Sequence, residues 1–166
     1  MILTHDEIIK EMCLGRIKIS PFDRSAVGPA SVDLSLGSSI RIFKNSLRPV
    51  EAKESVDYKK FTRLQGIKKG YILGRGELVL GITKEKITLP DNLCGWLQSR
   101  SRFARVGLMS HVTAPFICPG VSNRQVLEIF NAGDKPLKIY PGVKICQLIL
   151  EECRGKAKYS GRFRKQ

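Results

Sequence analysis

What this 166-residue chain lacks closes several classes of function at once. No uninterrupted apolar run approaches the roughly 18 residues that cross a bilayer, and the N-terminus carries no signal-peptide pattern. A soluble, cytoplasmic protein is therefore expected. No CxxC occurs among Cys13, Cys94, Cys118, Cys146 and Cys153, which are odd in number and widely spaced. That usage suits reduced thiols and argues against a disulfide scaffold or a zinc site. The apolar surroundings of Cys13, Cys94 and Cys146 predict small core residues. Internal repeats and low-complexity tracts are absent, and a hydrophobic content of 42% excludes a disordered chain. One domain over residues 1–166 is expected, long enough to bury a sizeable core.

Acidic residues are also short: 15 against 29 Lys and Arg, a formal charge of +14. Such an excess attracts polyanions, whether nucleic acid, acidic lipid or nucleoside triphosphates, and charge alone does not choose among them. It is most lopsided after Glu152, where Arg154, Lys156, Lys158, Arg162, Arg164 and Lys165 meet no acid. Aromatics beside these cations are few, only Tyr159 and Phe163, so base-stacking platforms are sparse and nucleic acid is the weaker reading.

What is present reads as a β protein. Thr4-His5-Asp6-Glu7 forms a capping box, followed by Ile8, Ile9 and Met12 on one face of a short helix that Gly15 can end. Short β-branched and apolar runs then recur between Gly, Pro and Asn: Ile40–Phe43, Leu78–Thr83, Val126–Phe130, Leu137–Tyr140 and Ile145–Leu150. The spacing predicts an all-β distorted barrel or jelly roll. A second short helix is expected near residues 100–106, aligning Ser101 with Arg105. Pro49–Gly70 is polar and predicts an excursion, with a turn of helix near Tyr58–Leu64 and no strand before Tyr71.

The richest segment runs from Gln98 to Asn131. Arg100, Ser101, Arg102 and Arg105 crowd into one turn, and arginine forks grip paired phosphate oxygens. Glu128 interrupts the apolar run Val126-Leu127-Glu128-Ile129-Phe130. Alternation along a strand turns Leu127 and Ile129 to the core and Glu128 to a pocket, with Val126 and Phe130 on its side. Desolvation there would raise its pKa and make it a proton carrier.

Five blocks in order resemble the deoxycytidine triphosphate deaminase branch of the trimeric dUTPase superfamily. They are Ser31–Gly37 (SVDLSLG), Ser99–Leu108 (SRSRFARVGL) with His111–Ala114 (HVTA), Ile117–Gly120 (ICPG), Leu127–Ile129 (LEI), and Pro141–Leu148 (PGVKICQL). The resemblance implies a dUTPase-like fold, a homotrimer with shared active sites, and hydrolytic deamination of dCTP to dUTP and ammonia. In that reaction water adds at C4 of the cytosine, N3 is protonated and a proton reaches the departing ammonia. Glu128 would be base and acid in turn.

The resemblance further implies phosphate contacts from Arg100, Ser101 and Arg105. Arg102, where the family has serine, either adds a contact or points to solvent. Thr113 and Ala114 would act through backbone groups, and Val126 and Leu127 would line the substrate. His111 is either beside the substrate or a structural histidine. Gln147 either lies near the nucleotide or satisfies buried backbone. Residues 152–166 would form a flexible lid, with Tyr159, Arg162 and Gln166 over the triphosphate. The only metal expected is Mg²⁺ carried with the triphosphate, and dTTP is a candidate inhibitor. Zinc is not expected: His5-Asp6-Glu7 fits H-x-E, but no P-C-x-x-C accompanies it. Cys118 stands where dUTPases of the superfamily place the water-activating aspartate, and a thiol is a poor base for water. Deamination without dUTP hydrolysis is thus expected. A dUTPase or bifunctional enzyme is the first alternative, and a non-catalytic nucleotide sensor or nucleic-acid-binding protein the second.

Overall fold

The computed structural model describes residues 1–164; Gln166, expected in the lid, lies outside the described residues. Helix α1 (His5–Cys13) opens the chain and strand β1 (Lys18–Ser20) follows. Then come β2 (Val32–Phe43), α2 (Tyr58–Phe61), β3 (Thr62–Gly66), β4 (Tyr71–Leu73) and β5 (Leu78–Thr88). Next are β6 (Leu93–Ser99), α3 (Ser101–Ala104), β7 (Leu108–Met109) and β8 (Phe116–Ile117). The last elements are β9 (Ser122–Asn131), β10 (Leu137–Ile139), β11 (Lys144–Glu152) and a 3₁₀ turn at Arg162–Arg164. The architecture is all-β, as expected.

Strand β2 is the hub, because it serves two layers. Its first half, Val32–Ser35, pairs with β11, and its second half, Ser39–Phe43, pairs with β3 while β5 lies on its other side. The order β7-β9-β5-β2-β11-β6-β8 results, with β1 added to β5 and β3 to β2. The chain switches layers at Gly37, where a Cβ would meet the Ile82 carbonyl oxygen at 2.8 Å, so only glycine allows the approach. Between the layers lie Leu34, Leu36, Ile40, Leu127, Ile129 and Leu148, each essentially solvent-free. Burial of each such side chain contributes about 1.5–3 kcal/mol.

Several local expectations need correcting. Thr4 is the N-cap of α1, yet its side chain makes no cap bond, and Glu7 instead pairs with Lys10 at 3.1 Å. Cys13 is exposed, because it falls on the solvent side of the last turn of α1; Cys94 and Cys146 are buried. A strand does precede Tyr71: β3 pairs with β2 from Ser39↔Gly66 to Phe43↔Thr62. Its polar sequence hid it, since only Thr62 of its five residues is buried. Helix α3 is shorter than the expected 100–106, with Arg100 as its N-cap. Gly107, at φ +84, ends the turn where a Cβ would strike the Gly133 backbone at 2.5 Å.

Candidate active site

Strand β9 alternates as its sequence dictates. Leu127 and Ile129 are buried, whereas Val126, Glu128 and Phe130 are half-buried on the opposite face. Leu80 of β5 lies directly across from Glu128, and Ile82 across from Val126. Over this face passes the loop from Ser110 to Pro115, whose start is fixed by the Ser99 hydroxyl accepting the Ser110 N–H at 3.0 Å.

That loop wraps the Glu128 carboxylate. Oε2 accepts the backbone N–H groups of Val112 at 3.0 Å, Thr113 at 2.6 Å and Ala114 at 3.3 Å. The Thr113 hydroxyl donates to Oε1 at 3.1 Å. Burial pushes the carboxyl upward, but the bonds from Thr113, Val112 and Ala114 together outweigh it and hold the pKa below 4.5. The expected rise is thus reversed: charge-assisted bonds to the ionised form beat partial desolvation. Beside it, burial lowers the pKa of His111 below 6.5 against the pull of the Glu128 charge. His111 Nδ1 is buried with no hydrogen-bond partner among the described residues. A neutral imidazole therefore sits next to an ionised carboxylate at pH 7.

Glu128 opens into a cavity of about 490 Å³. Leu78 and Leu80 line one wall, and Phe43 and Tyr58 stand at the edge of β2 and the start of α2. Ala114, Phe116, Ile117 and Cys118 come from the loop and β8; Val121, Asn123, Gln125 and Val126 come from β9 and its approach. Tyr159 and Phe163 reach in from the C-terminal segment. Apolar walls around one carboxylate and a few amides suit a flat heterocycle with polar edges.

Of the residues expected at the site, Ala114, Val126, Glu128 and Tyr159 meet in this cavity, Thr113 binds the carboxylate, and His111 adjoins it. Leu127 does not: its side chain is 0% exposed in the core, so it can offer only backbone. Arg100 is committed within its own chain, to Asp33 at 3.0 Å and to the Lys144 carbonyl at 2.9 Å. Ser101 and Arg102 on α3, and Arg105 at its C-cap, are exposed and line no part of the cavity. Gln147 lies on β11 between β2 and β6, accepting from the Ser31 hydroxyl at 3.2 Å. Arg162 donates to the Val56 carbonyl at 2.9 Å. Phe43, Tyr58, Leu78, Leu80, Asn123 and Gln125 escaped the sequence reading. The pairings Leu78↔Phe130 and Leu80↔Glu128 bring the two leucines to the cavity, and such register is a property of strand pairing. Among the described residues no group of three or more His, Cys, Asp or Glu could hold a metal ion, and no helix is long and apolar enough to cross a membrane.

A carboxylate in an apolar cavity, on a curled all-β sheet, defines a class that comparison with known proteins makes specific. The family model described as dCTP deaminase-like matches residues 2–153. The chain belongs to that family. It is 37% identical over 175 residues to a dUMP-forming dCTP deaminase of Parafrankia sp., covering 100% of this chain and 87% of that one. It is 42% identical over 169 residues to a dCTP deaminase of Marinomonas sp., covering 95% and 86%. Among solved structures, a 2'-deoxycytidine 5'-triphosphate deaminase from Agrobacterium tumefaciens superposes with a TM-score of 0.71 at 22% identity, covering 90% of this chain and 46% of that one. A Staphylococcus bacteriophage 80alpha dUTPase superposes at 0.53 with 12% identity, covering 88% and 96%. At such identities these two speak for the fold.

Proposed function

We propose that this protein hydrolytically deaminates dCTP, releasing ammonia and leaving dUTP, with Glu128 as the proton carrier. The observation that carries the reading is the Glu128 carboxylate, ionised and aimed by three backbone N–H groups into an apolar cavity. Ionised, it can take a proton from water attacking C4 of the cytosine and pass it to N3, and a second transfer lets ammonia leave. A bound pyrimidine strips water from the carboxylate and moves its pKa upward, toward the range in which it gives the proton back. The neutral His111 beside it supplies a polar edge without a competing charge. Substrate names of the relatives support this assignment.

The triphosphate, with its Mg²⁺, requires cations, and among the described residues no lysine or arginine lines the cavity. Ser101 and Arg102 on α3 and Arg105 at its C-cap are exposed. Their exposure supports a homotrimer in which each α3 completes the site of a neighbour, with residues 152–166 closing over it as a lid. The decisive measurement is ammonia release from dCTP by the wild type and by Glu128→Gln, in which the proton carrier is removed at constant shape. Equal rates in the two would remove Glu128 from the mechanism.

A second reading, formation of dUMP, is favoured by the printed names of several relatives. It requires activation of a second water at the α-phosphate. Cys118 lines the same cavity as Glu128 and is a free thiol there, which supports dUTP as the end product. Pyrophosphate release from dUTP separates the two readings. The wild type should give none above background, and Cys118→Asp should gain it; fast release by the wild type would make dUMP the product.

A further inference from the structure

Asn123 and Gln125 are amides on the buried side of β9, 4% and 8% exposed. A buried amide costs stability unless each polar atom finds a partner. Asn131, on the same strand, satisfies its amide by donating to the Lys135 carbonyl of the following turn and to the Leu73 carbonyl of β4. Asn123 does not. Gln125 Nε2 donates to Asn123 Oδ1 at 2.5 Å, which fixes the Asn123 amide with its nitrogen free to donate outward. That nitrogen donates to the carbonyl of Phe163 at 2.8 Å, 40 residues further along the chain.

The C-terminal segment is otherwise held by few bonds. Its approach is pinned by Ala157 N–H to the Asp91 carbonyl at 2.8 Å and Tyr159 N–H to the Pro119 carbonyl at 2.9 Å. Past Tyr159, Arg162 reaches the Val56 carbonyl, and the Phe163 N–H reaches the Tyr159 hydroxyl at 3.3 Å. Asn123 is therefore the one anchor of this terminal turn, among the described residues, that comes from the sheet carrying Glu128.

We propose that Asn123, oriented by Gln125, is a positioning residue that latches the turn Arg162–Arg164 against the Glu128 cavity. The latch places Phe163 at the cavity wall and limits water entry. The inference rests on the reading of that cavity as the deamination site. Asn123 touches no reacting atom; it acts through the segment it holds.

Asn123→Asp keeps the shape and removes the donor. One lost hydrogen bond should make trypsin release of the basic C-terminal segment about five- to tenfold faster. The KM for dCTP should rise by a similar factor while kcat at saturation stays within about twofold, a split that general destabilisation does not produce. Arg162→Ala, on the segment itself, should speed release too, and cannot unfold the sheet. The wild type offers a reading that needs no variant: the Asn123 side-chain amide protons should resist exchange, and lose that protection once trypsin has removed the segment. Equal release by wild type and Asn123→Asp, or Asn123 amide protons exchanging at the solvent rate, would overturn the latch. If the wild type makes no ammonia from dCTP, the deaminase reading fails, yet proteolysis and exchange still decide the latch.

Discussion

Glu128 is gripped by three backbone N–H groups of its own chain, whereas Ser101 and Arg102 on the four-residue α3 and Arg105 at its C-cap stand exposed and form no ion pair among the described residues. The contrast separates a half-site finished within its own chain from one that, in the proposed trimer, meets its partner on a neighbour. The carboxylate pocket is preorganised, so little reorganisation is needed when charge moves there. The arginine turn is a set of hydrated cations that gain only when several phosphate oxygens arrive together. Arg100 lies between the two cases, since Asp33 already neutralises it.

The largest expected effect falls on the finished half. Glu128→Gln should lower kcat for ammonia release by about 10²-fold or more with the fold intact by circular dichroism. A variant that loses less than tenfold would shift the proton chemistry elsewhere and dissolve the contrast. Next comes the unfinished half: Arg105→Ala should raise the KM for dCTP by about tenfold or more, the loss of one charge-assisted phosphate contact, with Tm unchanged. Mixing subunits of Arg105→Ala with those of Glu128→Gln should restore ammonia release, because a site drawing one group from each subunit regains both. No recovery in subunit-exchanged samples would mean that both groups serve a site within one chain.

Arg100→Ala should behave differently from Arg105→Ala. It breaks a partly buried ion pair with Asp33 and a bond to Lys144, so a stability loss of about 1–2 kcal/mol should accompany any change in KM. A Tm unchanged in Arg100→Ala would class it with the exposed cations.

The smallest effect concerns pH. Glu128 is held below 4.5, so its bonds contribute stability that is present above pH 4.5 and lost as pH falls through the depressed value. The base must be ionised in the free enzyme, so the acid limb of kcat/KM should lie below pH 4.5. A limb near pH 6 would show that the loop from Val112 to Ala114 releases the carboxylate in the active assembly.

Some of this was legible in the chain alone because it depends on nearest neighbours. The alternation of Val126 to Phe130 placed Glu128 opposite the core, and the β-branched runs between Gly and Pro announced the sheet. The pKa of Glu128 was read in the wrong direction for an equally plain reason. Alternation reports burial, which raises a carboxyl pKa, but says nothing of a loop 14 to 16 residues away whose N–H groups lower it. Strand β3 went unseen because a polar edge strand carries no apolar alternation. Leu127 was placed at the site by its neighbour in the motif, yet alternation along β9 turns its side chain into the core behind Glu128.

The sequence by itself settled the class of fold and the face on which Glu128 stands, because strand periodicity and turn chemistry act over a few residues. The tertiary structure alone decided what surrounds that carboxylate: Leu80 across the ladder, the wrap of Val112 to Ala114, and the buried amides that meet Phe163. It also decided that Arg100 is bound to Asp33 while Arg105 is free of the cavity. Such pairings depend on register and loop closure between distant segments, and no local pattern of residues encodes them.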